Sequence, residues 1–330
     1  MPSRRDQARR LTRDMKLIVT VDVEEEGLFK GQYSADHNPT TNVPCLRLLD
    51  ELFLEWKIRP TLLLTYQVTL QHHLHGLLLD LCHRWHGELG SHLHHWNTPP
   101  VTELPFPDPV PAELVPPDLL AAKLDCLFES FQPLGVQPQA FRMGRFSLGP
   151  KVFSLLQRSQ VLVDSSVAPL RTQYGGPQHL DAPVDPYFPD PSRITFPGNS
   201  RILEVPITIV PVHARVGGIF EKIRTRWNGS QELVGWLSGN VFSLPVQPVW
   251  TGLKRLKIAT ALHNRRGGKV LTLFFHSSEL QPGNSPLHPT QDHVQSFLRK
   301  LHFFFQWLHD FTTVESLTLS DLRKRYSDHP

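Results

Sequence analysis

Cysteine is scarce in this chain: three in 330 residues, at Cys45, Cys82 and Cys126. An odd number spaced so widely suits neither a disulfide framework nor a CxxC zinc site. An excess of one charge is lacking too. The 34 Lys and Arg against 31 Asp and Glu leave a formal net charge of +3, too mild to imply a nucleic-acid partner. No apolar run approaches the roughly 18 residues of a membrane span, and residues 1–13 are basic without the apolar centre of a secretory signal. These absences point to a reducing, cytoplasmic setting. No internal repeat is present. Proline, by contrast, is abundant at 30 residues and gathers in long connections, as expected of elaborate loops over a regular scaffold. With 40% hydrophobic and 20% charged residues the chain is globular, and its length suits one barrel or doubly wound α/β domain.

Residues 1–14 read as a flexible basic tail. Residues 17–23 then form an apolar, β-branched run that ends abruptly in Asp22-Val-Glu-Glu-Glu26 and Gly27. Strand alternation places Thr20, Asp22 and Glu24 on one side; a plain solvated acidic turn is the bland alternative. Asn42 offers an N-cap and Pro44 suits a first turn, opening a helix with Leu46, Leu49, Phe53 and Trp56 on one face. A strand at 61–65 follows. Leu74, Leu77, Leu78, Leu81 and Trp85 mark a second helix, with Gly87 as its expected C-cap.

Strands are further expected at 88–92, 140–142, 161–164, 203–210 (interrupted by Pro206) and 269–275. Helices are expected at 119–131 and 151–158, with a long one from Thr290 or Asp292 bearing Val294, Phe297, Leu298, Leu301, Phe305 and Leu308. This alternation predicts a mostly parallel sheet.

The chemistry collects where those strands end: Asp22 and Glu24, His92, Arg142, Asp164 and His276. Sites in parallel α/β folds form at the carboxyl ends of strands. Imidazoles two residues apart in the run His92-Leu-His-His95 can face one metal from an extended segment, and with a carboxylate they make a nitrogen and oxygen site suited to Zn²⁺ or a similar ion. A chain with 18 histidines also clusters some by accident. His72, His73, His75, His83 and His86 read as solvated helix positions.

In order, Thr20-Val-Asp-Val-Glu24, Gly87-Glu-Leu-Gly-Ser-His92, Phe141-Arg142, Asp164-Ser-Ser166 and Leu273-Phe-Phe-His276 resemble the motifs of the NodB-type polysaccharide deacetylases, over about residues 16–280. The resemblance implies a single distorted (β/α)₇ barrel and a divalent metal, Zn²⁺ by ligand type. It also implies hydrolysis of the N-acetyl carbon–nitrogen bond on a sugar of a cell-surface polysaccharide or its precursor. It assigns Asp22 as catalytic base, Arg142 as the residue orienting it, Asp164 as a further support of Asp22 and His276, His276 as general acid and His92 as a metal ligand. Two positions depart from the pattern: Val23 stands where the metal-binding Asp is usual, and Trp96 where the second metal histidine is usual. Glu24 is expected to supply the missing carboxylate, with Glu25 and Glu26 uninvolved, and His94 or His95 the missing imidazole. Two other readings stand beside this one, a metal-free sugar-binding module and a glycoside hydrolase using Asp22 and Glu24. Finally, residues 213–269 mix Lys222, Arg224, Arg226, Lys254 and Arg255 with Ile219, Phe220, Ile223, Trp227, Trp236 and Trp250. They read as a basic insertion near the barrel mouth, suited to lipid-linked sugars and to peripheral contact with an anionic membrane face.

Overall fold

A computed structural model of the chain describes residues 13–31, 33, 39–103, 111–171, 178–226, 237–239 and 241–327. Seven strands, β1 (Met15–Val23), β2 (Thr61–Leu64), β3 (Glu88–Leu93), β4 (Ala140–Met143), β5 (Val163–Asp164), β6 (Leu203–Glu204) and β7 (Val270–His276), lie in the order β7-β1-β2-β3-β4-β5-β6. Every pairing between them is parallel. An eighth strand, β8 (Val314–Ser316), pairs with the first residues of β1. Between the strands run α1 (Asp50–Glu55), α2 (His72–Trp85), α3 (Pro117–Glu129), α4 (Pro150–Leu156), α5 (Val216–Arg226), α6 (Leu253–Arg265) and α7 (Gln291–Phe311), with α8 (Leu319–Ser327) last. This is the (β/α)₇ barrel expected, and it is distorted on one side.

Strand β1 is the axis of the assembly. It is the longest strand, and Leu17, Val19, Val21 and Val23 are all fully buried. A parallel strand covered on both faces needs apolar side chains on both, and β1 has them until its acidic end. Helix α7 closes the barrel with Val294, Phe297, Leu301, Phe304, Phe305 and Leu308 buried along one stripe, each worth roughly 1.5–3 kcal/mol of transfer free energy. Phe304 joins the stripe, while Leu298 packs only at its edge.

The distortion lies between β6 and β7, which share no ladder. Pro206 removes a backbone donor there, and the expected strand at 203–210 shrinks to β6 plus Ile209–Pro211, which pairs antiparallel with Ser243–Pro245. Polar side chains complete the seam. Thr272 N–H donates to Thr208 Oγ1 (2.8 Å) and Phe274 N–H to Gln247 Oε1 (3.0 Å), so buried backbone groups keep partners.

Several local expectations change. His86, not Gly87, takes the left-handed position after α2, with φ 50° and ψ 37°. Gly87 is needed for another reason: a Cβ there would stand 2.6 Å from the Pro60 carbonyl oxygen. His75 is buried, its Nε2 2.8 Å from the Thr69 carbonyl, rather than solvated. Arg13, inside the expected tail, is held by Asn264 and Thr312; residues 1–12 lie outside the described residues. Residues 213–269 contain two different things. Helix α6 belongs to the barrel layer, with Leu256 and Ala259 in the main core. Helix α5 buries Phe220 and exposes Ile219, Lys222 and Ile223, while Trp227 and Trp236 lie outside the described residues. Among the described residues no helix is long and apolar enough to cross a membrane.

Candidate active site

Strand register assembles half of the site. Asp22 on β1 is the direct partner of His276 on β7, and His92 on β3 is the partner of Arg142 on β4. Asp22 is 2% exposed and accepts a 2.5 Å bond at Oδ1 from Nη1 of the fully buried Arg142. The guanidinium is fixed at its other edge by Ser165, donating through Nε to the carbonyl (2.7 Å) and through Nη2 to Oγ (2.9 Å). The rings of Phe146 and Phe274 lie 5.4 and 5.3 Å from its carbon. Arg142 is therefore paired with an opposite charge and held from two sides, as a buried arginine must be.

His276 presents Nε2 to both acids of β1, 3.9 Å from Asp22 Oδ2 and 3.7 Å from Glu24 Oε1. Its Nδ1 lies 3.4 Å from Glu279 Oε1, and its backbone N–H donates to Glu279 Oε2 (3.0 Å). Burial alone would lower its pKa, but Glu24, Glu279 and Asp22 outweigh that and raise it to about 9. Ser277, Ser278 and Glu279 are buried. They form a support beneath His276 instead of an accessible rim.

Glu24, His92 and His94 form the second half, with one ligand atom of each inside a span of 4.8 Å. His94 Nε2 lies 3.1 Å from Glu24 Oε2 and 3.1 Å from His92 Nε2, and His92 Nε2 lies 3.7 Å from Glu24 Oε2. Nitrogen and oxygen ligands about 2.0–2.1 Å from one tetrahedral Zn²⁺ stand about 3.3 Å apart, so the spacing matches a shared ion. The tautomers point the same way. His92 Nδ1 faces the Arg142 carbonyl (3.0 Å) and His94 Nδ1 faces Glu25 Oε1 (2.8 Å). Both Nδ1 atoms must donate, so in neutral rings both Nε2 atoms carry lone pairs aimed at each other and at a carboxylate. Only a positive species relieves that. With protons alone, His94 takes the role: despite burial, Glu25 and Glu24 raise its pKa to about 10. Glu24 is held well below the usual carboxylate range, its burial overcome by the imidazoles of His276, His92 and His94 around it. A divalent cation fits the same donor set.

Of the residues read from the sequence, Asp22, Glu24, His92, His94, Arg142 and His276 all line one cavity of about 240 Å³, together with Phe29, Tyr33, Trp96, Phe146, Trp250 and Phe274. His94, and not His95, joins Glu24 and His92. Asp164 does not reach the cavity. It binds Ser166, whose Oγ donates to it (2.6 Å) and accepts from Met143 N–H (2.8 Å), and it lies beside Glu204 on β6. It supports β4 rather than Asp22 or His276.

Two supports were not legible. Asn42 was expected as a cap. Its side chain instead donates to the Glu24 carbonyl (2.9 Å) and to Ser277 Oγ (2.9 Å), tying β1 to β7 beyond their ladder. Glu25, expected to be uninvolved, is fully buried against His94, Thr65 and Asn97. The strand ends at Val23, so the two-residue alternation that marked Glu24 no longer governs residue 25.

No family model matches the sequence, and no curated protein matches it either. Solved structures do. A protein described as a candidate polysaccharide deacetylase from Mycobacterium smegmatis superimposes with a TM-score of 0.52 at 15% identity, over 95% of this chain and 90% of that one. A candidate glycoside hydrolase/deacetylase from Parabacteroides distasonis does so with a TM-score of 0.62 at 13% identity, over 97% of this chain and 73% of that one. At such identities the likeness concerns the fold, and the fold is the (β/α) barrel of the polysaccharide deacetylase type.

Proposed function

We propose that this chain is a metal-dependent hydrolase that removes N-acetyl groups from a carbohydrate. The observation that carries this reading is the convergence of Glu24, His92 and His94 at one-ion spacing beside a buried Asp22–Arg142 pair and His276. A divalent ion held by these three, Zn²⁺ by donor type, would supply an activated water and polarise the acetyl carbonyl. Asp22 accepts the proton of that water at Oδ2, because Oδ1 is already bonded to Arg142. Arg142, itself held by Ser165, keeps the carboxylate in one orientation. His276, which faces Asp22 at Nε2 and Glu279 at Nδ1, acts as the acid and delivers the Nε2 proton to the departing amine. Glu279 holds the ring's other proton at Nδ1, and the proton taken up at Asp22 Oδ2, 3.9 Å from Nε2, returns the ring to its starting state.

This convergence favours the enzyme over a metal-free binding module, which would not need three ligand atoms brought within 4.8 Å in the interior. A glycoside hydrolase needs two carboxyl groups on opposite sides of a sugar. Asp22 and Glu24 instead stand two residues apart on one strand end, and each is engaged by Arg142 or by imidazoles.

The test is acetate release from N-acetylated glucosamine oligomers by the zinc-loaded chain. Asp22→Asn and His276→Ala should each lower turnover by a factor on the order of 10²–10⁴ with zinc content unchanged. Wild-type protein that holds zinc but releases no acetate from any N-acetylated glycan would sink the reading.

A further inference from the structure

Glu25 is a fully buried carboxylate that no Lys or Arg pairs with among the described residues. Oε1 accepts from His94 Nδ1 (2.8 Å) and from Asn97 Nδ2 (2.5 Å), and Oε2 accepts from Thr65 Oγ1 (2.8 Å). Thr65 and Asn97 are neutral donors, and the remaining partner is the His94 ring, which donates to Glu25 through Nδ1.

The rest of the surroundings of His94 serve one orientation. His94 lies one residue beyond the end of β3, where no ladder holds the chain. Trp96 stacks on its ring, with centroids 4.3 Å apart and planes 26° from parallel. Gly144, in the turn after β4, closes on its edge: a Cβ at that position would stand 2.8 Å from His94 Cδ2. Neither contact chooses the tautomer or aims a nitrogen. The bond from Glu25 does both, because a carboxylate at Nδ1 fixes the proton there and leaves Nε2 as the ligand atom.

We infer that Glu25 is a positioning residue for the metal: it binds no cation itself, but through Nδ1 it holds the Nε2 of His94 at the point where Glu24 and His92 converge. This inference rests on the metal-dependent reading above and adds to it a residue outside the ligand set. Asn97 and Thr65 act at one remove, by holding both oxygens of Glu25.

Equilibrium dialysis of the full-length chain against Zn²⁺ tests it, with thermal melting of the metal-free protein as the check on folding. Glu25→Gln should weaken Zn²⁺ binding by a factor of about 10–100, and acetate release should recover when Zn²⁺ is raised to saturation. Recovery separates positioning from chemistry, since Asp22→Asn should stay inactive at any Zn²⁺ concentration. Gly144→Ala supplies a second arm that removes no charge and no donor; its Cβ displaces His94, and it should weaken Zn²⁺ binding while Glu25 is intact. Wild-type affinity in Glu25→Gln overturns the inference. Should that variant not fold, wild-type affinity in Gly144→Ala overturns it instead. A wild-type chain that binds no Zn²⁺ is a different failure, one that removes the metal-dependent reading itself.

Discussion

Two groups of buried carboxylates sit at strand ends of the same barrel, and their neighbours give them opposite protonation. At the end of β1, Asp22 faces Arg142, Glu24 faces His92, His94 and His276, and Glu25 faces His94. Glu24 and Glu25 are accordingly held below the usual carboxylate range in spite of burial. On β5 and β6, Asp164 and Glu204 are direct register partners and both are fully buried. Burial and then the Asp164 charge push Glu204 well above its ordinary value, and burial raises Asp164 as well. Both carboxyls of the pair are thus pushed toward the protonated form. Position at a strand end does not decide whether an acid is charged. What the adjacent strands bring to it does: imidazoles and a guanidinium stand against the acids of β1, whereas Asp164 and Glu204 stand against each other, and Arg142 acts on them as a lesser influence than burial.

The sharpest way to break this contrast is to make the first group resemble the second. Arg142→Met leaves Asp22 buried without its counter-charge and should cost about 3–5 kcal/mol, read as a fall in the urea midpoint. Loss of the fold's cooperativity would be the extreme form of the same effect, and an unchanged midpoint would contradict it.

A buried histidine gives the next largest effect. His179 accepts from Ala168 N–H at Nδ1 (3.2 Å) and donates to the Leu148 carbonyl from Nε2 (3.1 Å), so both nitrogens are used by a neutral ring. Burial lowers its pKa to about 4, opposite to His94 and His276, which have carboxylates. Between about pH 6.5 and pH 4 the unfolded chain binds a proton that the folded chain does not, so stability from this group is present at neutral pH and lost on acidification. His179→Gln should remove about 1–3 kcal/mol of the acid dependence, measured as the slope of unfolding free energy against pH. An unaltered slope would show that His179 is not held neutral.

Glu204→Gln should have the smallest effect. The fold pushes the pair toward the protonated form, so an amide of the same shape should change stability at pH 5, close to the unfolded pKa, by less than about 1 kcal/mol. Sign matters here: an acid with a raised folded pKa contributes fully below its unfolded value and loses that contribution as pH rises through the folded one. The variant should therefore lose less stability than wild type on going from pH 5 to 8. A cost of several kcal/mol at pH 5 would mean that Glu204 is charged and paired, and the contrast between the two groups would fail.

Much of this was legible along the chain because it is local. A run such as Leu17–Val23 that is apolar on both faces must be a covered strand, and acids at its end have no place in a core. The order of strands and helices then made a parallel barrel the economical arrangement, and the strand-end residues Asp22, Glu24, His92, Arg142 and His276 followed from it. What could not be read was anything set by contact between distant segments. The Leu93–His94 bend past the end of β3 decided that His94 and not His95 meets Glu24. Residues 277 to 279 turned inward under His276 because Asn42, 235 positions before Ser277, bonds to them. Asp164 has the residue type and strand position of a site acid, yet the side chain across the ladder is Glu204, and that neighbour turns it into part of the frame. Sequence alone determined which residues stand at strand ends, through alternation and burial, which act over a few residues. Tertiary structure decided which of them carry charge and which ring nitrogens point inward, because those depend on distances of about 3 Å between strands that the chain connects only through long loops and helices.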